Sequence, residues 1–189
     1  MSQAAAKNTQ SSKFSVRDIC YPGLFAAVIA VMAQISIPMP LGVPMTMQTF
    51  AITLAAVVLG SKLSAMASLV YLILGAVGVP VLASFSGGID KFVGPTGGFL
   101  ISFPLMAYII GLGVEHRNAF KGAFPLAVVV GTVVNYIVGV ILFVIVAHST
   151  VAVAISACVL PFIPTAIIKA VLACAIGLNI RKRIPGLKA

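Results

Sequence analysis

The feature that most constrains this 189-residue chain is where its charges lie. Twelve Lys and Arg and three Asp and Glu, 8% of the residues, are gathered in short breaks between long apolar runs. A soluble domain carries about 25% charged residues. A chain that is 61% hydrophobic with so few charges cannot cover a water-facing surface, so an integral membrane protein is expected. The net charge of +9 would also suit nucleic acid. Basic clusters set between apolar runs follow the pattern of topogenic signals instead, so membrane lipid is expected as the surroundings and no nucleic acid as a partner.

Six apolar segments can be read: Ile19 to Ile37, Met47 to Gly60, Leu63 to Leu82, Phe99 to Val114, Phe124 to Ala147 and Phe162 to Ile180. Several are shorter than the ~20 residues of a usual membrane helix, which points to broken helices or re-entrant segments. The expected fold is an all-α integral membrane protein, a single six-transmembrane-helix bundle over residues 19–183. A polar tail, residues 1–18, rich in Ser, Gln and Ala, precedes it, and a short tail, residues 184–189, follows. With both termini cytoplasmic, the inner segments hold Lys7, Lys13, Arg17, Lys62, Arg117, Lys121, Arg181, Lys182, Arg183 and Lys188, and the outer ones only Lys91. That asymmetry favours cytoplasmic termini. The first apolar run lacks a small-residue cleavage site and reads as a retained helix.

Lys169 stands alone within the last apolar segment. A cation near mid-membrane costs about 2.5–3.5 kcal/mol on insertion scales, and no carboxylate shares the segment. Such a lysine gives up its proton, waits for an anion, or snorkels to the interface; at about a third of the way in from Phe162, snorkelling stays open. The anion reading makes this a membrane protein with a site for a small anionic ligand.

Several chemistries have no support. Gly94-Pro-Thr-Gly-Gly98 is not followed by the Gly-Lys-Ser/Thr of a nucleotide-binding loop. His116 and His148 fall on opposite sides of the membrane in this topology. Glu115 and His116 read as part of a solvated basic turn. Asp18, Asp90 and Glu115 all lie outside the apolar segments, so ion coupling through membrane carboxylates is unsupported. Cys20, Cys158 and Cys174 have no paired spacing and read as packing residues. Lys169 has no evident catalytic partner, and an enzyme is not expected. An active transporter without a nucleotide-binding loop and without ion-coupling acids would need a partner to supply its energy.

Three motifs remain. The outer loop between the third and fourth segments, Ala83 to Gly98, is long and glycine-rich. Its amides, with the Ser86 and Thr96 hydroxyls, suit a lid or pocket wall, and a flexible connector is the alternative. Val43-Pro-Met-Thr-Met-Gln48 puts polar side chains at a helix start. Gln48 offers two donors and an acceptor, which suits an amide-like or ureido-like ligand. In the first helix Gly23, Ala26, Ala27, Ala30 and Ala33 form a strip of small residues that either packs inside or docks another membrane protein.

Together these residues resemble the biotin-specific substrate-binding subunits of energy-coupling factor (ECF) transporters, the BioY family. The resemblance runs from about Ile19 onward. It rests on Gly94-Pro-Thr-Gly-Gly-Phe99, on Gly78-Val-Pro-Val-Leu82 with Ser86-Gly-Gly88, on Val43-Pro-Met-Thr-Met-Gln48, and on Leu160-Pro-Phe-Ile-Pro164 followed by Lys169. It implies a bacterial plasma-membrane protein that takes biotin as transported ligand, with no cofactor. It also implies a transmembrane coupling subunit and two cytosolic ATPases as partners, with Ala26 and Ala30 on the docking surface. Lys169 would meet the valerate carboxylate. Gln48, Ser86, Asp90, Thr96, Gly97, Gly98 and Tyr136 are the other candidates for the pocket. One departure stands out: the family's Asp in Pro-Gly-Asp-x-x-Lys is here Ala166, preceded by Thr165, so the acceptor for a ureido N–H is missing. Thr165 or Asp90 would be substitutes. The alternatives are a subunit for another carboxylated vitamin, an intramembrane enzyme using Lys169, and a structural helper with no ligand.

Overall fold

The structure, a computed structural model, describes residues 16–39, 42–118 and 122–184, the Arg17 side chain excepted. Residues 1–15 of the expected N-terminal tail, Lys121, and residues 185–189 of the expected C-terminal tail lie outside that range. The chain is mostly helical. In order it forms α1 (Val16–Ala33), β1 (Ser36–Ile37), β2 (Met45–Thr46), α2 (Gln48–Leu59), α3 (Ser61–Ala76), α4 (Asp90–Val93), α5 (Gly97–Glu115), α6 (Ala123–Val146), α7 (Val151–Cys158) and α8 (Ile163–Arg183). Three stretches, Gly97–Glu115, Ala123–Val146 and Val151–Arg183, are long and apolar enough to cross a membrane. The apolar helices Asp18–Ala33, Gln48–Leu59 and Ser61–Ala76 are shorter.

The core gathers around α5, which packs against α3, α6 and α2; α8 lies on α2, and α1 on α3 and α2. α2 explains its own brevity. All of its twelve residues except Thr49 are buried, so it is a central rod of about 18 Å that touches protein on every side. The outer helices do the reverse. On α6, Leu126, Val129, Val133, Ile137, Ile141 and Ile145 are exposed at spacings of three and four, while Val128, Gly131, Asn135, Gly139 and Phe143 face inward. An apolar stripe of that length turned outward suits lipid and not water.

α5 and α6 cross closely through glycines. A Cβ on Gly98 would stand 2.6 Å from the Val138 carbonyl oxygen, and one on Gly139 would run into the Phe99 ring. Only a missing side chain permits that approach.

Helix ends depart from the apolar runs where side chains compete for the backbone. α1 stops at Ala33, short of the expected Ile37, because the Gln34 amide turns back onto the Ala30 carbonyl at 2.8 Å and Ser36–Ile37 pair with Met45–Thr46. α3 stops at Ala76, short of Leu82, where Gly78 takes φ +98°. The chain then doubles back, and Leu82 packs onto Gly75, where a Cβ would be only 2.6 Å from its Cδ2.

The end of the bundle holding the α2–α3 turn is tied by two charges. Gly60, at φ +85°, makes the turn. The Ser61 N–H and hydroxyl donate to Glu115 at 2.7 and 2.9 Å. Glu115 was expected in a solvated turn; it is half-buried instead, because the unpaired amides at the α3 N-terminus attract a carboxylate. Arg181, buried on α8, donates to the Val58 and Val57 carbonyls at 3.0 and 3.3 Å, satisfying the last turn of α2.

Candidate ligand cavity

At the opposite end, a cavity of about 310 Å³ opens among α2, α5, α6 and α8. The β1–β2 hairpin contributes Gly42, Val43, Pro44 and Thr46, and the stretch between α3 and α5 contributes Leu82, Ala83, Ser84, Ser86, Lys91 and Thr96. Phe99, Leu100, Phe103 and Phe162 supply apolar and aromatic walls. The volume is at the small end of ligand pockets, and apolar walls with a few converging polar groups are their usual make-up.

Lys169 comes from the second turn of α8 and lines the cavity. It is half-buried, and its Nζ donates to the Thr46 carbonyl at 2.8 Å. Its other two N–H groups have no protein partner among the described residues. A neutral carbonyl leaves the positive charge uncompensated, and so available to an anion.

Gln48 is fixed by its neighbours. It is buried, its Nε2 donates to the Tyr71 hydroxyl at 2.5 Å, and its Oε1 accepts from the Thr46 hydroxyl at 2.8 Å. One amide N–H is left over, and Gln48 lines the cavity. Asn135, 2% exposed, stands at mid-α6 and is bound to α5: its Nδ2 donates to Ser102 Oγ at 2.7 Å and to the Phe99 carbonyl at 3.1 Å.

The stretch over the cavity is strained and clamped. Ser84 and Phe85 take φ of 57° and 54°, a left-handed backbone that costs a residue with a side chain about 1–3 kcal/mol. The Phe85 N–H donates to Gln34 Oε1 at 2.7 Å, and the Gln34 Nε2 donates to the Val81 carbonyl at 3.2 Å. The Ser84 and Ser36 hydroxyls meet at 2.9 Å.

Of the residues expected at the site, Lys169, Gln48, Ser86, Thr96 and Tyr136 share this cavity. Asp90, Gly97 and Gly98 do not line it. Asp90 is exposed on α4 and pairs with Lys91 at 3.1 Å. Gly97 and Gly98 are buried where α5 starts, against the Phe92 and Val138 carbonyls, and serve the helix crossing. Ala26 is buried in the core and Ala30 is partly covered; the open small residues of α1 are Gly23 and Ala27. Thr165 turns its hydroxyl to the Phe162 carbonyl at 2.9 Å, and it does not line the cavity. Asn135, Lys91 and the Gln34 clamp were not foreseen. Asn135 carried a readable signal, as the lone amide within the long apolar run from Phe124 to Ala147.

Apolar helices with outward-facing aliphatic stripes, packed around a cavity lined by a lysine, define an integral membrane protein with a cavity of ligand size. The chain belongs to the BioY family, whose model it matches over residues 6–186. It is 42% identical to the "Biotin transporter BioY" of Thermotoga maritima over 168 residues, 88% of this chain and 97% of that protein. It is 34% identical to the "Biotin transporter BioY" of Rhizobium etli over 186 residues, 93% of this chain and 98% of that one. Among solved structures, it resembles the S-component for biotin from an ECF-type ABC transporter, with a TM-score of 0.80, 26% identity, and 96% of each chain covered.

Proposed function

We propose that this chain captures biotin and mediates its uptake as the substrate-binding subunit of an ECF-type transporter, and that it is not an enzyme. The observation that carries the reading is Lys169, whose charge has only a backbone carbonyl for company in a cavity of ligand size. Biotin offers one carboxylate for that charge. Its bicyclic ring suits the Phe99, Phe103 and Phe162 walls, and its ureido group suits Gln48 and the hydroxyls of Ser86 and Thr96. Relatives named as biotin transporters support the same ligand. No chemical bond changes and no cofactor takes part.

In this reading six helices cross a bacterial plasma membrane. Both termini are cytoplasmic, and the cavity opens outward beneath the stretch between α3 and α5. The basic run Arg181, Lys182 and Arg183 at the end of α8 supports that orientation. A transmembrane coupling subunit with two cytosolic ATPases supplies the energy, docking along the small residues of α1 around Ala30, Gly23 and Ala27.

A second cation, Lys91, also lines the cavity, so the carboxylate has a rival site there, although Asp90 already holds that ammonium. The test is binding of labelled biotin to the detergent-purified chain, with other carboxylated vitamins as competitors. Saturable 1:1 binding displaced by biotin alone supports the proposal. Absence of binding, or displacement by another vitamin, refutes it.

A further inference from the structure

Asn135 is thirteenth of the 24 residues of α6, with apolar side chains on most sides. An amide there is costly unless its polar atoms are used. Two are accounted for, since both Nδ2 hydrogens go to α5, one to Ser102 Oγ and one to the Phe99 carbonyl. The direction of the amide is dictated by chemistry. A carbonyl oxygen only accepts, so an amide turned the other way would set Oδ1 against the Phe99 oxygen. Ser102 reinforces this, because its own hydroxyl proton goes to the same Phe99 carbonyl at 3.0 Å, leaving its oxygen to accept from Asn135. Oδ1 is therefore locked as an acceptor. It has no protein partner among the described residues, and Asn135 lines the cavity wall.

Asn135 also borders a second, smaller void of about 20 Å³, which Ala166 and Lys169 line as well. The Ala166 methyl leaves that space open, and no carboxylate enters it. Asn135 thus presents a neutral acceptor deep in α6, while the Lys169 ammonium is held at Thr46 on the hairpin.

We infer that Asn135 is the specificity-determining acceptor of the site: its Oδ1 takes a ring N–H of the ligand, so a cyclic urea or amide enters ring first, with its acid tail toward Lys169. This rests on the biotin reading and deepens it. A carboxylate brought to Oδ1 would meet acceptor against acceptor, so the same atom that admits the ring rejects the tail. Burial makes the selection strong, because an unmatched polar pair there has no water to turn to.

The test pairs a change in the ligand with a change in the protein. The ligands are biotin and its two cyclic carbamate analogues, in which one or the other ring N–H is replaced by oxygen with little change of shape. The proteins are the full chain and the acceptor-free variants Asn135→Leu and Asn135→Met. In the wild type, one carbamate should bind at least about tenfold more weakly than biotin. In both variants, that ratio should shrink to no more than about threefold. The ratio of two dissociation constants in one preparation does not depend on the fraction that is folded, so a destabilised variant still reports. Wild-type protein that binds biotin and both carbamates alike overturns the inference without any variant, and so does a ratio that persists in both variants. A wild type that does not bind biotin at all refutes the proposed function itself, and the inference with it.

Discussion

Replacing Lys169 with methionine keeps the length and the apolar stem and removes the ammonium, so it isolates the charge. In the structure that ammonium has one bond, to the Thr46 carbonyl at 2.8 Å, and two donors to spare. A carboxylate arriving in the cavity would take those donors as charge-assisted bonds, contributing about 1.5–3 kcal/mol. The half-exposed position argues for the lower part of that range when the cavity is wet, and for the upper part when the α3–α5 stretch covers it. The expected loss of biotin affinity is therefore about 10- to 150-fold. Titration calorimetry in detergent reads it directly, and biotinamide, with the same ring and a neutral tail, is the control. Lys169→Met should cost biotinamide no more than about threefold. If the variant weakens biotin and biotinamide equally, Lys169 acts on the fold or the ring and not on the carboxylate. If neither is weakened, the lysine only snorkels, and Lys91→Met should then carry the loss.

Gln34→Leu removes the clamp on Phe85 and Val81 and frees a strained turn. Biotin should dissociate at least about threefold faster, measured by chase with unlabelled biotin; an unchanged rate would count against a latch. Glu115→Ala strips the cap from α3 and should cost about 0.5–2 kcal/mol of stability. That would appear as a lower thermal midpoint in detergent with biotin affinity intact, since the cap lies at the other end of the bundle. Gly98→Ala drives a Cβ against the Val138 carbonyl and should cost about 1–3 kcal/mol, again as a lowered midpoint. An unshifted midpoint would show that α5 and α6 have slack at their crossing.

Much of the helical plan was readable because lipid-facing and core positions both demand apolar residues, and the basic breaks mark where they stop. What periodicity could not reveal is which side of each helix faces inward. α2 shows why: it is apolar all round and buried all round, so its pattern carries no phase. Lys169, Gln48, Ser86, Thr96 and Tyr136, which stand out because polar groups in apolar surroundings need a purpose, share the cavity. Gly97 and Gly98 lie off the cavity lining, since a glycine that lets two backbones approach looks, in sequence, like one that lets a ligand approach. Asp90 also lies off the lining, and Lys91 next to it takes its charge. Gln34 and Tyr71 were invisible, since their roles are contacts with residues 51 and 23 positions away. The short helices α4 and α7 were likewise hidden, being too brief to leave a pattern.

The two ends of the bundle are built to different strengths, and the contrast bears on how a ligand is handed across. At the α2–α3 turn, Glu115 and Arg181 each satisfy a buried helix end with a full charge, and breaking either contact would strand backbone groups at about 1–3 kcal/mol apiece. At the cavity end the side-chain contacts that hold the Ser84–Phe85 turn are neutral: hydroxyl to hydroxyl at Ser36 and Ser84, amide to backbone at Gln34. Two left-handed residues there lean against those few bonds. Neutral, partly exposed bonds contribute about 0.5–1.5 kcal/mol each, close to the strain they hold. The Ser84–Phe85 turn is therefore the less firmly held of the two ends, although backbone bonds such as Gly88 N–H to the Gly75 carbonyl at 2.7 Å anchor the stretch on either side of it. Under the proposed uptake, that contrast would let the cavity end admit a ligand while release past the charged end draws on work supplied by a partner.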